Sequence, residues 1–307
     1  MARVRVLDES ERRIGPSRAT DALDLARRLP RLALEARRIS AAVAHGVHGR
    51  RRPGTGETFW QFRPFTAGEP AHRIDWRRSA RDEHHLHVRE REWEAAHTVR
   101  LWIDRSPSMA FASALAAAPK LDRAVVLGLA LADLLVRGGE RVGLLGFGPT
   151  MASRMIVDRL AEALAADPSA EAELPDATPL PPLSEAVLIT DALSPADEIA
   201  GILEKLAARG ARGHLLRIVD PVEETFPFEG QAELLATEGR DRLDVGDAGA
   251  FRRAYHERMQ AHRSALAEAC RRRGWSFLDH RTDRPASEAL LAVAVRVARG
   301  GRGPGSF

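Results

Sequence analysis

The chain is poor in cysteine, in lysine and in long apolar runs, and each scarcity closes off a class of protein. Cys270 is the single cysteine among 307 residues, which excludes an intramolecular disulfide and a zinc site built on several thiolates. It falls in a helical stretch, where packing accounts for it. Lys120 and Lys205 are the only lysines among 46 Lys and Arg residues, so the positive charge is almost entirely arginine. The N-terminus carries Arg and Asp where a secretory signal needs an apolar region. The most apolar segment, Ala124 to Ala132, is flanked by Asp122 and Asp133 and is far shorter than the roughly 20 residues that span a bilayer. These features predict a cytoplasmic protein with no membrane span. No internal repeat is visible.

What is present suits a globular chain: 44% hydrophobic and 29% charged residues over a length that can bury a full core. The net charge of +3 is unevenly spread. Residues 1–100 hold 21 Arg against 14 Asp plus Glu, or +7, which leaves 25 against 29, or −4, for the remainder. A basic front half predicts contact with something acidic. A genomic preference for arginine explains the same excess.

Residues up to Pro16 are polar and read as loose. A helix is predicted from Asp21 to Ala44, with Leu25, Leu29, Leu32, Ile39 and Val43 at near-helical spacing and with Pro30 set to split it. A basic, Gly-rich joint from Gly46 to Gly56 follows, then strands at Glu57–Phe65 and from Leu86 toward Glu94. From Val99 onward strands and helices alternate. Strands are predicted at 99–103, 141–147, 186–190, 213–219 and 275–278, and helices at 121–136, 156–166, 195–209, 251–273 and 287–299. Such alternation implies an α/β fold, a mostly parallel sheet with helices on both faces. The expected organisation is an N-terminal helical, basic segment (1–53), a β-rich extension (54–97), the α/β domain (98–299) and a disordered tail (300–307).

In such a sheet, ligands gather outside the carboxyl ends of the strands where strand order reverses. The first strand of the alternating region ends in Asp104, followed by Ser106 and Ser108, and a later strand ends in Asp191. Carboxylate and hydroxyl oxygens are hard donors that suit Mg²⁺ or Mn²⁺ and offer nothing to a soft metal. Two hydroxyls two and four residues past an aspartate can turn toward one ion. Equally, Asp104 and Ser106 can simply cap the next helix. The position of both aspartates at strand ends favours the ion.

Asp104-x-Ser106-x-Ser108 resembles the metal-ion-dependent adhesion site of von Willebrand factor A-type (vWA) domains. That likeness implies a threonine from a second loop, for which Thr178 is the first candidate and Thr150 the alternative, and an aspartate from a third loop, which Asp191 fits. A longer series resembles the bacterial domain-of-unknown-function 58 family, which carries a vWA-like domain. It comprises Gly54-x-Gly56-x-x-Phe59, Arg63-x-Phe65, Gly68-Glu69, Arg73-Ile74-Asp75-Trp76, Ser79-Ala80-Arg81, Val88-Arg89-Glu90, the Asp104 to Met109 motif, Asp220-Pro221-Val222-Glu223 and the Tyr255 to Gly274 helix. Glu69 stands where the family has Asp, Phe65 where it has Tyr, and the Thr178 region is shortened. The resemblance implies a protein partner: a MoxR-type AAA+ ATPase, an acidic residue of a client, or both, with a chaperone-like role in complex assembly or maturation.

Other features admit plainer readings. Asp75 is expected to pair with an arginine, with Trp76 packing on the main domain, within a structural or partner-facing cluster of Arg73, Asp75, Trp76, Ser79 and Arg81. His84, His85 and His87 are close in sequence but have no evident third zinc ligand. Gly143, Gly146 and Gly148 lack the spacing of a dinucleotide loop and the lysine of a P-loop, so they read as strand and turn glycines. Arg271 to Arg273 complement a helix C-terminus. Two alternatives to an adaptor stay open. One is a metal-dependent hydrolase or phosphotransferase with Asp104 as nucleophile; it is disfavoured because position 106 is Ser where a second carboxylate is wanted. The other is nucleic-acid binding through the Arg-rich first hundred residues and Phe59, Trp60 and Phe62.

Overall fold

The computed structural model describes residues 2–6, 22–47, 59–66, 71, 74–82, 85–91, 97–167, 172–236 and 242–300. In chain order the elements are β1 (Ala2–Val6), α1 (Ala22–Val47), β2 (Phe59–Pro64), α2 (Trp76–Ser79), β3 (His87–Arg91), β4 (Thr98–Ile103), α3 (Lys120–Arg137), β5 (Arg141–Leu144) and α4 (Ile156–Ala166). They continue as β6 (Ser184–Thr190), α5 (Ala196–Ala207), β7 (Arg212–Val219), α6 (Pro221–Thr225), β8 (Ala232–Ala236), β9 (Arg242–Val245), α7 (Ala248–Arg272), β10 (Ser276–Arg281) and α8 (Ala286–Gly300). They fall into two units, residues 1–49 with 97–307, and residues 50–96.

The larger unit is built on five strands in the order β10-β7-β6-β4-β5, every neighbouring pair parallel. This is the α/β, Rossmann-like arrangement expected, and it is consistent with a vWA-like fold. The apolar side chains alternate between two layers, as a sheet covered on both faces requires. Val99, Leu101, Ile103, Val187, Ile189, Leu216 and Ile218 pack with α1, α3, α4 and α8. Trp102, Ala186, Leu188 and Leu215 pack with Ile199, Leu203, Leu266 and Cys270 of α5 and α7. Close approach decides one glycine: a Cβ on Gly213 would lie 2.5 Å from the Trp275 ring. Gly146 and Gly148 hold φ of 75° and 71°, which turns the chain after β5 so that Met151 pairs antiparallel with Val142.

Helix α1 runs without interruption through Pro30, contrary to the expected split. Pro30 sits at an exposed position, and the helix is held from its other face. Leu25, Leu29, Leu32, Ala36 and Val43 are buried, each large aliphatic side chain contributing about 1.5–3 kcal/mol. That burial offsets the roughly 3 kcal/mol cost of an interior proline. Arg28 and Arg31 bind Asp122 of α3, Arg37 binds Asp158 of α4, and Ser40 binds Asp133. Part of the N-terminal arginine charge is therefore used inside the fold.

Three strands were not anticipated. β1 pairs antiparallel with β8, and β8 with β9. The Ala2–Val6 segment, read as loose, becomes a strand by pairing with Ala232–Ala236, a partner too distant in sequence for local pattern to reveal. No described helix is long and apolar enough to cross a membrane.

The smaller unit contains the antiparallel pair β2–β3 and the short helix α2. Asp75 caps α2, accepting from the Arg78 N–H at 2.9 Å. Its carbonyl accepts the Ser79 hydroxyl at 2.8 Å, and Ser79 Oγ in turn accepts the His87 N–H at 2.8 Å. Trp76 is 61% exposed. Asp82 lies 2.6 Å from His87 Nε2 and 3.7 Å from His85 Nδ1. Arg73, His84, residues 7–16, most of the Gly46–Gly56 joint and residues 301–307 lie outside the described residues.

Candidate cation site

The chain enters the sheet at β4, crosses to β5 on one side, and returns to β6 on the other side of β4. The strand order therefore reverses between β4 and β6, the position where open α/β sheets hold ligands. Each of the three adjacent strands β4, β6 and β7 is followed directly by an aspartate: Asp104, Asp191 and Asp220.

Asp104 is anchored by its N–H to the Ile189 carbonyl at 2.9 Å. Its Oδ1 accepts the Ser106 N–H at 2.8 Å, and its Oδ2 accepts the Thr190 hydroxyl at 2.6 Å. Ser106 Oγ lies 3.2 Å from Ser108 Oγ, and Ser108 Oγ donates to Asp191 Oδ2 at 2.7 Å. Asp104, Ser106, Ser108 and Asp191 thus form one connected group, with exposures of only 2%, 1%, 5% and 4%. The 3₁₀ turn Pro107–Ala110 carries Ser108 and buries Met109 beneath it. Ser106 is the N-cap of that turn but makes no side-chain cap bond, so its hydroxyl is directed to the cluster.

The threonine of the group is neither of those proposed from sequence. Thr178 is exposed in the segment before β6. Thr150 sits against Gly143 and offers its carbonyl to Arg141, beside the amino-terminal half of β5. Among the described residues, no hydrogen bond joins either to the cluster. Thr190 takes that place, since the last residue of β6 lies beside the first residue past β4 and its Oγ1 also accepts the Ala192 N–H at 2.9 Å.

Sequence reasoning also missed a buried ion-pair network. Lys120, the first residue of α3, is 0% exposed. Its ammonium donates to Asp191 Oδ2 at 2.8 Å and to Glu223 Oε1 at 2.6 Å. Glu223 Oε2 accepts the Asp220 N–H at 3.0 Å, closing a capping box at α6, while Asp220 Oδ2 accepts the Ser113 N–H at 2.8 Å. Tyr255 of α7 donates to the Glu223 carbonyl at 2.6 Å. One signal could have revealed Lys120: it is one of two lysines in an arginine-rich chain and stands at the start of an apolar helix.

The electrostatics follow from burial. Burial and the neighbouring Asp191 charge push the Asp104 carboxyl up to about 7, against the hydrogen bonds from Thr190 and Ser106. Asp191 meets the same desolvation, yet the Lys120 ammonium and the Ser108 hydroxyl bring it below the ordinary carboxylate value. Burial raises Glu223, with Lys120 opposing, and the two carboxylates overcome burial to raise Lys120. Asp104, Asp191 and Glu223 against one ammonium leave −2 when all are ionised, and the buried Asp220 beside Glu223 adds a further negative charge.

A hard divalent ion fits this donor set. Adjacent oxygens on an octahedral Mg²⁺ at about 2.1 Å are about 3 Å apart, and the Ser106–Ser108 and Ser108–Asp191 oxygens are 3.2 and 2.7 Å apart. Among the described residues no three His, Cys, Asp or Glu side chains are grouped as metal ligands, so an ion here depends on the two hydroxyls.

A family model described as a protein of unknown function, DUF58, matches residues 61–265, two thirds of the chain. The chain belongs to the DUF58 family. The match to DUF58 runs from β2 into α7 and takes in every residue of the cluster and of the Lys120 network. No curated protein and no solved structure matches this DUF58 chain.

Proposed function

We propose that this DUF58 protein is a divalent-cation-dependent protein-binding adaptor that holds Mg²⁺ or Mn²⁺ through Asp104, Ser106, Ser108 and Asp191. The observation that carries the reading is the connected, buried set of hard oxygens at the β4–β6 reversal. The charge balance supports it as well, because the buried carboxylates outnumber the single ammonium and a divalent ion offsets part of the excess. Such an ion would supply the positive charge that an acidic side chain of a partner can bind. A carboxylate will not enter a buried site that is already negative, so partner binding should depend strictly on the ion. As the family resemblance implies, the proposed partner is a MoxR-type AAA+ ATPase or a client protein, met in the cytoplasm, with a role in complex assembly or maturation.

Hydrolysis is the weaker reading. Lys120 is held charged by two carboxylates and cannot serve Ser108 as a base. Asp104 lacks a second acid two residues on.

The test is capture of a co-expressed MoxR-type ATPase by the full chain with Mg²⁺ or with EDTA, for the native protein and for Ser106→Ala. Capture is expected to need the ion and to fall at least about tenfold in the variant, corresponding to about 1.4 kcal/mol. Capture that survives both EDTA and Ser106→Ala would overturn the proposal.

A further inference from the structure

Lys120 stands in an unusual relation to the candidate ligands. Its ammonium has no exposed surface and touches Asp191 through the same oxygen, Oδ2, that accepts the Ser108 hydroxyl. Among the described residues the other oxygen, Oδ1, receives a 3.4 Å contact from the Leu193 N–H. The ammonium cannot drift away: its helix begins with the Lys120 N–H on the Phe111 carbonyl at 3.2 Å. Its second partner, Glu223, is fixed by the α6 capping box and by Tyr255. The Phe111 ring lies 5.8 Å from the ammonium, within reach of a cation–π attraction.

We infer that the Lys120 ammonium is a resident counter-cation that competes with the divalent ion for Asp191 and so sets how tightly the site holds metal. The inference rests on the proposed cation site. Three consequences follow from charge alone. Without Lys120 an incoming divalent ion meets one more unit of negative charge than with it. Asp191 Oδ2 already has two donors, so full engagement with a metal requires one of them to yield. And because Lys120 offsets one of the two charges on Asp191 and Glu223 before any metal arrives, it lowers their repulsion when the site is empty. Lysine serves this purpose better than arginine, since a compact point charge fits between two carboxylates that a planar fork would force apart. A lysine with a merely structural role would behave oppositely. Its removal would loosen Asp191 and weaken metal binding.

The experiment is Mn²⁺ titration of the full chain by calorimetry at about pH 8, for the native protein, Lys120→Met and Glu223→Gln, with thermal unfolding in EDTA alongside. Methionine keeps the stem and removes the charge. Lys120→Met is expected to bind Mn²⁺ about tenfold or more tightly than the native protein, to melt lower in EDTA, and to recover when Mn²⁺ is added. Glu223→Gln is expected to bind Mn²⁺ several-fold more weakly, because it removes one negative charge and leaves Lys120 wholly on Asp191. Mn²⁺ binding by Lys120→Met but not by the native protein would support the inference while overturning cation dependence of the native site. Folded Lys120→Met with unchanged or weaker Mn²⁺ binding would overturn the inference and leave the cation site standing. No binding by any of the three would overturn both. Should Lys120→Met fail to fold, Glu223→Gln decides, and an unchanged affinity there sinks the inference.

Discussion

Replacing Asp104 by asparagine should stabilise the metal-free protein at alkaline pH and destabilise it at acid pH. In the folded chain the carboxyl is raised from 3.8 to about 7, first by burial and then by Asp191. At 1.36 kcal/mol per pH unit, this amounts to up to about 4 kcal/mol. The sign follows from the direction: a folded-state value above the unfolded one favours the neutral acid. This contribution is intact below about pH 4 and is lost as pH rises through about 7. Asparagine is neutral throughout and escapes the loss. It keeps an oxygen for the Ser106 N–H, but it presents an amide nitrogen where Asp104 Oδ2 accepts the Thr190 hydroxyl, at a cost of about 1 kcal/mol. Asp104→Asn should therefore be about 1 kcal/mol less stable than the native protein below about pH 4, about 0.5 kcal/mol more stable near pH 5 and about 3 kcal/mol more stable near pH 8. Urea unfolding in EDTA across that range reads the difference directly. His280, pushed down to about 4 by burial and by Arg123, erodes the stability of both proteins on the acid side and cancels in the comparison. A difference that stays flat from about pH 5 to about pH 8 would refute the buried-charge account of this site.

Two further outcomes test the frame that carries the site. Gly213→Ala sets a Cβ 2.5 Å from the rigid Trp275 ring, so it should cost about 1–3 kcal/mol in thermal or urea unfolding; a neutral result would contradict the close packing of β7 on Trp275. Leu183 is 84% exposed with φ 62°, a conformation that costs a branched side chain about 1–2 kcal/mol. Leu183→Asn should raise stability by about 0.5–1 kcal/mol, and a lowered melting temperature would show that Leu183 makes contacts its exposure hides.

Periodicity is a local property, and wherever local pattern decided the outcome the sequence alone was sufficient. Helices α3, α4, α5, α7 and α8 and the five parallel strands follow from alternating apolar runs whose bounds shift by only a few residues. The Asp104-x-Ser106-x-Ser108 spacing, with Asp191 at a later strand end, likewise announced a group of hard oxygens before any coordinates. Contacts between residues distant in sequence were beyond local reading. β1 needed β8 to become a strand, and α1 needed three helices beneath it to carry Pro30. Thr190 replaced Thr178 and Thr150 because β4 and β6 are neighbours in the sheet, a fact of strand order and not of spacing. Lys120 reaches Asp191 across 71 residues and Glu223 across 103. Only the packing of α3 and α6 on one sheet edge brings those charges together, and burial then gives them their strength.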